Sequence, residues 1–494
     1  MDLRQTVASP ALHAELRHSW IDGGPRASSG APIFLFEPGT SEPTGEVNTA
    51  GPDIVDAAVS SARRAFAQWG RSSPAERQRL LNKFADKIEA ETQILAALEA
   101  LEVGRPVGDA AAVIHEGAAF LRQTASLIDH IGGDVVGAGE QRTSLVWRRP
   151  RGVVAAITPW NVPSMNVLAR VAPALAAGNA VVVKPSENSP RSAVFLARLA
   201  SQAGLPDGVF NVVLGDGPTT GGRLAAHDGV NMVAFTGSTA TGLEITRLSA
   251  TNSLKPVLLE CGGKSPLILM DDVPATDSLW QSVFFSAFWN SGQWCIAKTR
   301  IILPRARLEE AVDGLDRAAG EWPCGDPFHS QTRLGPLANK RQFDNVRRYL
   351  DQARNGAGVT ELRVPNSGRD PRGYYVQPSI VTDVPRSSAV WQEEIFGPLA
   401  VLQPFDTAEQ AIELANDTRY GLAATLVTNR TELAFKITRS VEAGIVDICT
   451  TPASTSGWSP LQYFEPVKQS GLGIDSGLHG LRAYTSAQTV SFSY

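Results

Sequence analysis

The chain has 494 residues, 43% of them hydrophobic and 19% charged, a globular balance that excludes a disordered or fibrous protein. Lysine plus arginine number 45 against 50 acidic residues, a net charge of -5, which gives no electrostatic footprint for nucleic acid or an anionic membrane. At ~150 residues per domain the length accommodates about three domains. No apolar run approaches the ~18 residues of a membrane span, and the N-terminal segment lacks the apolar centre of a secretory signal. A soluble, cytoplasmic protein is therefore expected. The four cysteines, Cys261, Cys295, Cys324 and Cys449, form no close pair and predict neither disulfides nor a zinc knuckle. The seven histidines are scattered, so no metal site is expected.

After a short irregular start, residues 54–69 carry apolar positions at helical spacing. Ser73-Pro74-Ala75-Glu76 reads as a capped helix start, and Leu80, Leu81, Phe84, Ile88 and Leu95 continue one face of that helix. From about residue 151 the pattern changes to short β-branched runs at 153–157, 180–184, 210–214 and 232–235, with helices between them that close at Gly178 and Gly204. Strand–helix alternation predicts a parallel sheet with helices on both faces. A second α/β region runs from about residue 262 to 460, with strands at 265–270, 300–303 and 400–404 and a polar surface loop at 366–373. The tail beyond Leu481 alternates like a strand that needs a partner.

Several strand ends and loops carry polar groups. Cys295 lies in Gly292-Gln293-Trp294-Cys295-Ile296, where nearby backbone N–H groups favour a thiolate; taken singly it reads more readily as a buried structural thiol. Glu260, before Cys261-Gly262-Gly263-Lys264, ends an apolar run as a general base does, or as a solvated charge does. Gly237-Ser238-Thr239-Ala240-Thr241-Gly242 opens a helix whose N–H groups suit a pyrophosphate. Its spacing is not G-x-G-x-x-G, and an ordinary capped turn reads as well. Lys184-Pro185-Ser186-Glu187 and Thr158-Pro159-Trp160-Asn161 end strands, and Glu393-Glu394-Ile395-Phe396-Gly397-Pro398 precedes a turn.

Together and in this order the motifs resemble the aldehyde dehydrogenase superfamily, NAD(P)-dependent and hydrolytic in type. Trp20-Ile21-Asp22-Gly23-Gly24 and Tyr420-Gly421-Leu422 fit as well. The resemblance implies an α/β fold in three parts. These are a Rossmann-like NAD-binding domain (1–131 and 151–261), a catalytic domain (262–462) and a small β oligomerisation flap (132–150 and 478–494), in a homodimer or homotetramer. It implies that Cys295 attacks the aldehyde and Asn161 stabilises the oxyanion. A hydride then passes to the nicotinamide, and Glu260 activates the water that hydrolyses the thioester. Trp160, Lys184, Ser186, Glu187, Gly237, Ser238, Gly242, Glu394 and Phe396 would bind the cofactor. A 2′-phosphate beside Glu187 would set like charges together, so NAD is expected over NADP. Val162, Met165, Trp289, Trp294, Ile296, Cys449 and Trp458 would line the substrate tunnel. Three tryptophans and no arginine among them point to a hydrophobic aldehyde, aromatic or terpenoid. The chain departs from the family pattern at Cys261, at Asp447 to Cys449, at Tyr463 to Gly471 and at Asp475. A CoA-acylating or semialdehyde dehydrogenase, and a non-catalytic binding protein on the same fold, stay open as alternatives.

Overall fold

The structure, a computed structural model, describes residues 2–449 and 461–494. Its first residues are more regular than expected. Helices Leu3–Val7 and Pro10–Leu16 are capped by Asp2 and Ser9. Strands Ser19–Ile21 and Gly24–Arg26 follow, and Pro32–Phe36 pairs with Pro43–Asn48 as a hairpin. Elements this short fall below the length at which periodicity can be read. Burial of Val7, Leu16 and Val47 holds them in place.

Helices Pro52–Trp69 and Pro74–Ala90 present the expected faces, and Ser73 Oγ accepts from the Glu76 N–H at 3.2 Å, a cap worth about 1 kcal/mol. Leu95 does not continue the second helix; it lies in a third, Thr92–Val103. At Glu91 the backbone leaves the helix (φ -109°, ψ 17°), and Thr92 Oγ1 donates to the carbonyls of Ile88 and Glu89. A side chain thereby serves carbonyls that a continuing helix would have paired.

The first large sheet is eight-stranded, and its five central strands, Phe210–Val212, Ala180–Lys184, Val153–Ile157, Met232–Thr236 and Val257–Glu260, are parallel. The helices before Gly178 and Gly204 end as expected, with φ of 88° and 90° at those glycines, a left-handed turn that glycine adopts without a Cβ penalty. Each residue of Val153–Ile157 and Ala180–Lys184 is buried, which explains the apolar reading that runs up to Lys184. The second sheet runs Gly358–Glu361, Ser379–Thr382, Leu399–Phe405, Arg300–Pro304, Pro266–Leu269, Ala423–Val427 and Ile445–Cys449, parallel except at its first pair. In the segment expected to be a surface loop, Asn366–Ser367 pairs with Cys324–Gly325.

The C-terminal strand Thr485–Ser493 pairs antiparallel with Arg142–Pro150, which pairs in turn with Asp134–Ala138. The helix before it, Gly477–Ala483, buries Leu481 in the core beneath the first sheet, and Tyr484 follows it there. Among the described residues no helix is long and apolar enough to cross a membrane, and no group of three or more His, Cys, Asp or Glu could hold a metal ion.

Candidate active site

Four of the singled-out segments leave the carboxyl ends of neighbouring strands. Ile157 lies beside Lys184 on one side and Phe235 on the other, and Thr236 lies beside Glu260. The chain winds away from Val153–Ile157 in both directions, and such a switch point opens a crevice where ligands bind.

On this rim Ser238 Oγ accepts from the Thr241 N–H at 3.2 Å and shares a hydrogen bond with Thr241 Oγ1 at 2.9 Å, capping the helix Thr239–Ser249. The Gly237 N–H donates to Glu260 O. Gly242 is needed for packing, since a Cβ there would stand 2.8 Å from Cys261 Sγ. Lys184 Nζ lies 3.5 Å from Glu187 Oε2, and burial lowers the amine's proton affinity. Ser186 Oγ accepts from the Asn188 N–H at 3.2 Å and so serves its own turn. A cavity of about 490 Å³ touches Glu187 and is shared with Glu102, Lys340 and Arg341.

Cys295 is held by an unusual loop. Asn290, Ser291 and Gly292 are left-handed in succession, with φ of 53°, 55° and 73°. For the two non-glycine residues this costs roughly 1–2 kcal/mol each, offset by hydrogen bonds on every side. Ser291 Oγ donates to Gly335 O at 2.7 Å, Gln293 Nε2 donates to Asn290 O at 3.1 Å, and Gln293 Oε1 accepts from the Ala338 N–H at 2.9 Å. A Cβ on Gly292 would meet Gly397 O at 2.3 Å, so only glycine fits.

Asn161 is tied to this loop. Its Nδ2 donates to Gln293 O at 3.0 Å, while its Oδ1 accepts from Asn166 Nδ2 at 3.0 Å, which fixes the amide's orientation. Asn290 Nδ2 donates to Asn161 O at 3.0 Å. An amide nitrogen carries two hydrogens, and among the described residues one of the Asn161 pair is taken, by Gln293 O.

The expectation of a ready thiolate is corrected. A backbone N–H does favour the thiolate, but burial and the carboxylates of Glu394 and Glu260 outweigh it and push the Cys295 thiol up to about 12. Glu260 itself is raised well above the usual carboxylate range by burial and by Asp475, with Arg170 opposing. Among the described residues Glu260 Oε1 is buried without a hydrogen-bond partner, and Arg170 is in direct contact with Asp475. Glu394 is anchored differently. Its Oε1 accepts from the Gly263 N–H at 2.9 Å, and burial raises its carboxyl to about 7 against the pull of that N–H, Lys264 and Arg419. A Cβ on Gly262 would stand 2.1 Å from Glu394 Oε2. Phe396 stands edge-on to Trp160 at 5.5 Å.

Gln342, which no sequence signal marked, donates from Nε2 to the carbonyls of Ile395 and Phe396 at 2.9 and 2.7 Å. Arg170 and Lys298 also escaped the sequence reading, since each lies just outside the short segments it singled out.

Beside Cys295, the rings of Trp289 and Trp294 lie 4.8 Å apart, with Phe285 edge-on to Trp294 at 6.1 Å. An arginine does enter here. The Arg105 guanidinium lies 4.8 Å from the Trp289 ring and 3.2 Å from Glu99, both side chains fully buried. Its charge is thereby paired within the protein. Val162 precedes the helix Pro163–Ala176, and Met165 lies in that helix's first turn. Cys449, like Phe285 and Trp289, packs against the second sheet's core, and Ile296 O accepts from Lys298 Nζ at 3.0 Å. Trp458 lies outside the described residues.

The model of the aldehyde dehydrogenase family matches residues 26–490. An aminoacetaldehyde dehydrogenase of Pseudomonas aeruginosa is 39% identical over 99% of this chain and 98% of its own length. The NADP/NAD-dependent aldehyde dehydrogenase PuuC of Escherichia coli is 37% identical over 92% of this chain and 91% of its own. A mutant indole-3-acetaldehyde dehydrogenase, AldA of P. syringae, solved with NAD+ and IAA, superposes with a TM-score of 0.92 at 34% identity and covers 97% of each chain. This chain belongs to the aldehyde dehydrogenase family.

Proposed function

We propose that this protein oxidises a hydrophobic, aromatic aldehyde to the carboxylic acid through a covalent thioester on Cys295. The observation that carries the reading is the cluster of Phe285, Trp289 and Trp294 against the Cys295 loop, an apolar wall of the kind that ligand pockets use. The Cys295 sulfur attacks the aldehyde carbon, and the other Asn161 N–H and the Cys295 N–H stabilise the oxyanion, a type of contact worth ~3–4 kcal/mol. NAD, when bound, supplies the acceptor for the hydride that the thiohemiacetal carbon gives up. Glu260 then takes a proton from the water that attacks the thioester. Its raised proton affinity makes it a stronger base than an ordinary carboxylate.

The crevice at the switch point fits a dinucleotide in its donor set. Ser238 and the helix N-terminus at Thr239 would meet the pyrophosphate, with Gly237 and Gly242 shaping that turn. Lys184 and Glu187 would hold the adenine ribose beside Ser186, and Glu394 the nicotinamide ribose, with Trp160 and Phe396 against the ring. Glu187 favours NAD over NADP through like-charge repulsion of a 2′-phosphate. Residues 1–131 and 151–261 would form the cofactor domain and 262–462 the catalytic domain. The three-stranded sheet would join copies into a homodimer or homotetramer, since it exposes Val135, Val136, Trp147 and Phe492.

A second reading, an aminoaldehyde substrate, is favoured by the partly exposed Asp447 carboxylate on the strand that ends at Cys449 and by likeness to the P. aeruginosa enzyme. Reduction of NAD with indole-3-acetaldehyde, phenylacetaldehyde and aminoacetaldehyde decides between the two. The aromatic aldehydes should give the higher kcat/KM; aminoacetaldehyde ahead of both would overturn the first reading.

A further inference from the structure

We propose that Asn166 is a positioning residue for Asn161: its side-chain N–H donates to the Asn161 carbonyl oxygen and so keeps the Asn161 N–H groups turned toward the Cys295 loop. The proposal rests on the reading of Asn161 as the oxyanion donor.

The contacts leave one orientation for the Asn161 amide. On one side it faces Gln293 O, which as a carbonyl only accepts, so the atom 3.0 Å away is the nitrogen. The oxygen then faces Asn166, whose Nδ2 donates to it at 3.0 Å. Asn161 is 6% exposed, and this contact gives its Oδ1 the partner that a buried polar atom needs. The backbone around the pair is tied as well. Asn290 Nδ2 donates to Asn161 O at 3.0 Å and to Gln293 O at 3.2 Å. The Asn166 N–H donates to Val162 O at 2.9 Å, in the first turn of the helix Pro163–Ala176.

Asn166 is a polar residue on an otherwise apolar stripe. Met165, Asn166 and Ala169, with Val162 at the helix start, are half-buried, whereas Val167, Leu168 and Arg170 are buried. Positions three and four apart share one helical face, so this stripe needs only apolar residues to pack. An asparagine there supplies a donor, and the donor meets Asn161. With its oxygen held, the Asn161 amide cannot turn about Cβ–Cγ and present that oxygen to the oxyanion. A donor on the carbonyl oxygen also polarises the amide and strengthens its N–H groups as donors. Both effects act where charge develops on the aldehyde oxygen, so they bear on the chemical step and not on aldehyde binding.

The test is the single-turnover rate of NADH formation, at saturating NAD and the fastest of the three aldehydes above, in a double-mutant cycle with Asn161→Ala. Asn166→Leu keeps the size of the side chain and removes the donor. It should slow the step about tenfold, the net worth of one hydrogen bond, with aldehyde KM and NAD Kd within about twofold of wild type. Asn166→Asp, which sets an acceptor against Oδ1, should slow the step further. In the Asn161→Ala background neither change should alter the rate by more than about twofold. Wild-type rates in both Asn166 variants, or equal slowing in both backgrounds, would overturn the proposal. The two readings fail separately. A wild-type rate in Asn161→Ala removes the oxyanion donor, whereas slowing there with unmoved rates in the Asn166 variants removes only the role of Asn166.

Discussion

At the carboxyl ends of the first sheet, Ser238, Thr241 and Glu187 stand on a helix start and a strand end with their polar groups reaching solvent. Around Cys295 the ionisable groups are instead held against their solvation preference. Burial raises Cys295 to about 12 and Glu394 to about 7, and lowers Lys264 to about 7 and Lys298 to about 8. The first arrangement suits recognition, because exposed donors and helix ends bind charge without needing to change state. The second suits chemistry, because Glu394 and Lys264, both displaced to about 7, can exchange protons near neutral pH.

That contrast sets the order of expected effects. Cys295→Ala should remove the covalent route and lower kcat by roughly 10⁴-fold or more in an NADH absorbance assay; near-wild-type turnover would break the assignment. Glu260→Gln should cost about a thousandfold in steady-state turnover, the range of a lost general base, while leaving a first burst of NADH. In the wild type, thioester hydrolysis should rise with pH through a midpoint above the usual carboxylate range, since Glu260 must lose its proton to act. Asn161→Ala should lower kcat about a hundredfold or more with little change in KM; an effect confined to KM would place Asn161 outside the reacting centre.

On the recognition side the effects should be smaller and fall on binding. Glu187→Gln should shift the NAD/NADP preference by about tenfold toward NADP, the size of one like-charge contact of ~1.4 kcal/mol. An unchanged ratio would remove Glu187 as the discriminator. The smallest effect concerns stability. Glu394 binds its proton more tightly folded than unfolded, its carboxyl being raised from 4.5 to about 7. The stabilisation is therefore complete below about pH 4.5 and lost as pH rises through about 7. Melting of Glu394→Gln should accordingly fall less than wild type between about pH 5 and pH 8.

The same division explains what could be read without the structure. Strands at Val153–Ile157 and Ala180–Lys184 announce themselves because both faces are buried and every position before Lys184 is apolar. Ser73 and Gly178 announce helix ends through local backbone needs. The recognition residues follow directly from those strand ends. The thiol site is less legible because its surroundings are assembled from remote segments. Gln342 reaches the Phe396 turn, Arg105 reaches Trp289, and Arg170 meets Asp475, none at a spacing that a sequence pattern encodes. The break at Glu91 was hidden for a related reason, since Leu95 keeps helical spacing across it while Thr92 diverts the hydrogen bonds.

In the proposed mechanism Cys295 carries the acyl group and Glu260 releases it. Intact-mass and peptide mass spectrometry of Glu260→Gln protein, mixed with NAD and phenylacetaldehyde and quenched in acid, tests it most directly. A phenylacetyl adduct is expected on the Cys295 peptide at close to one per chain. NADH formation with no adduct, or with the adduct on Cys261, Cys324 or Cys449, would contradict it.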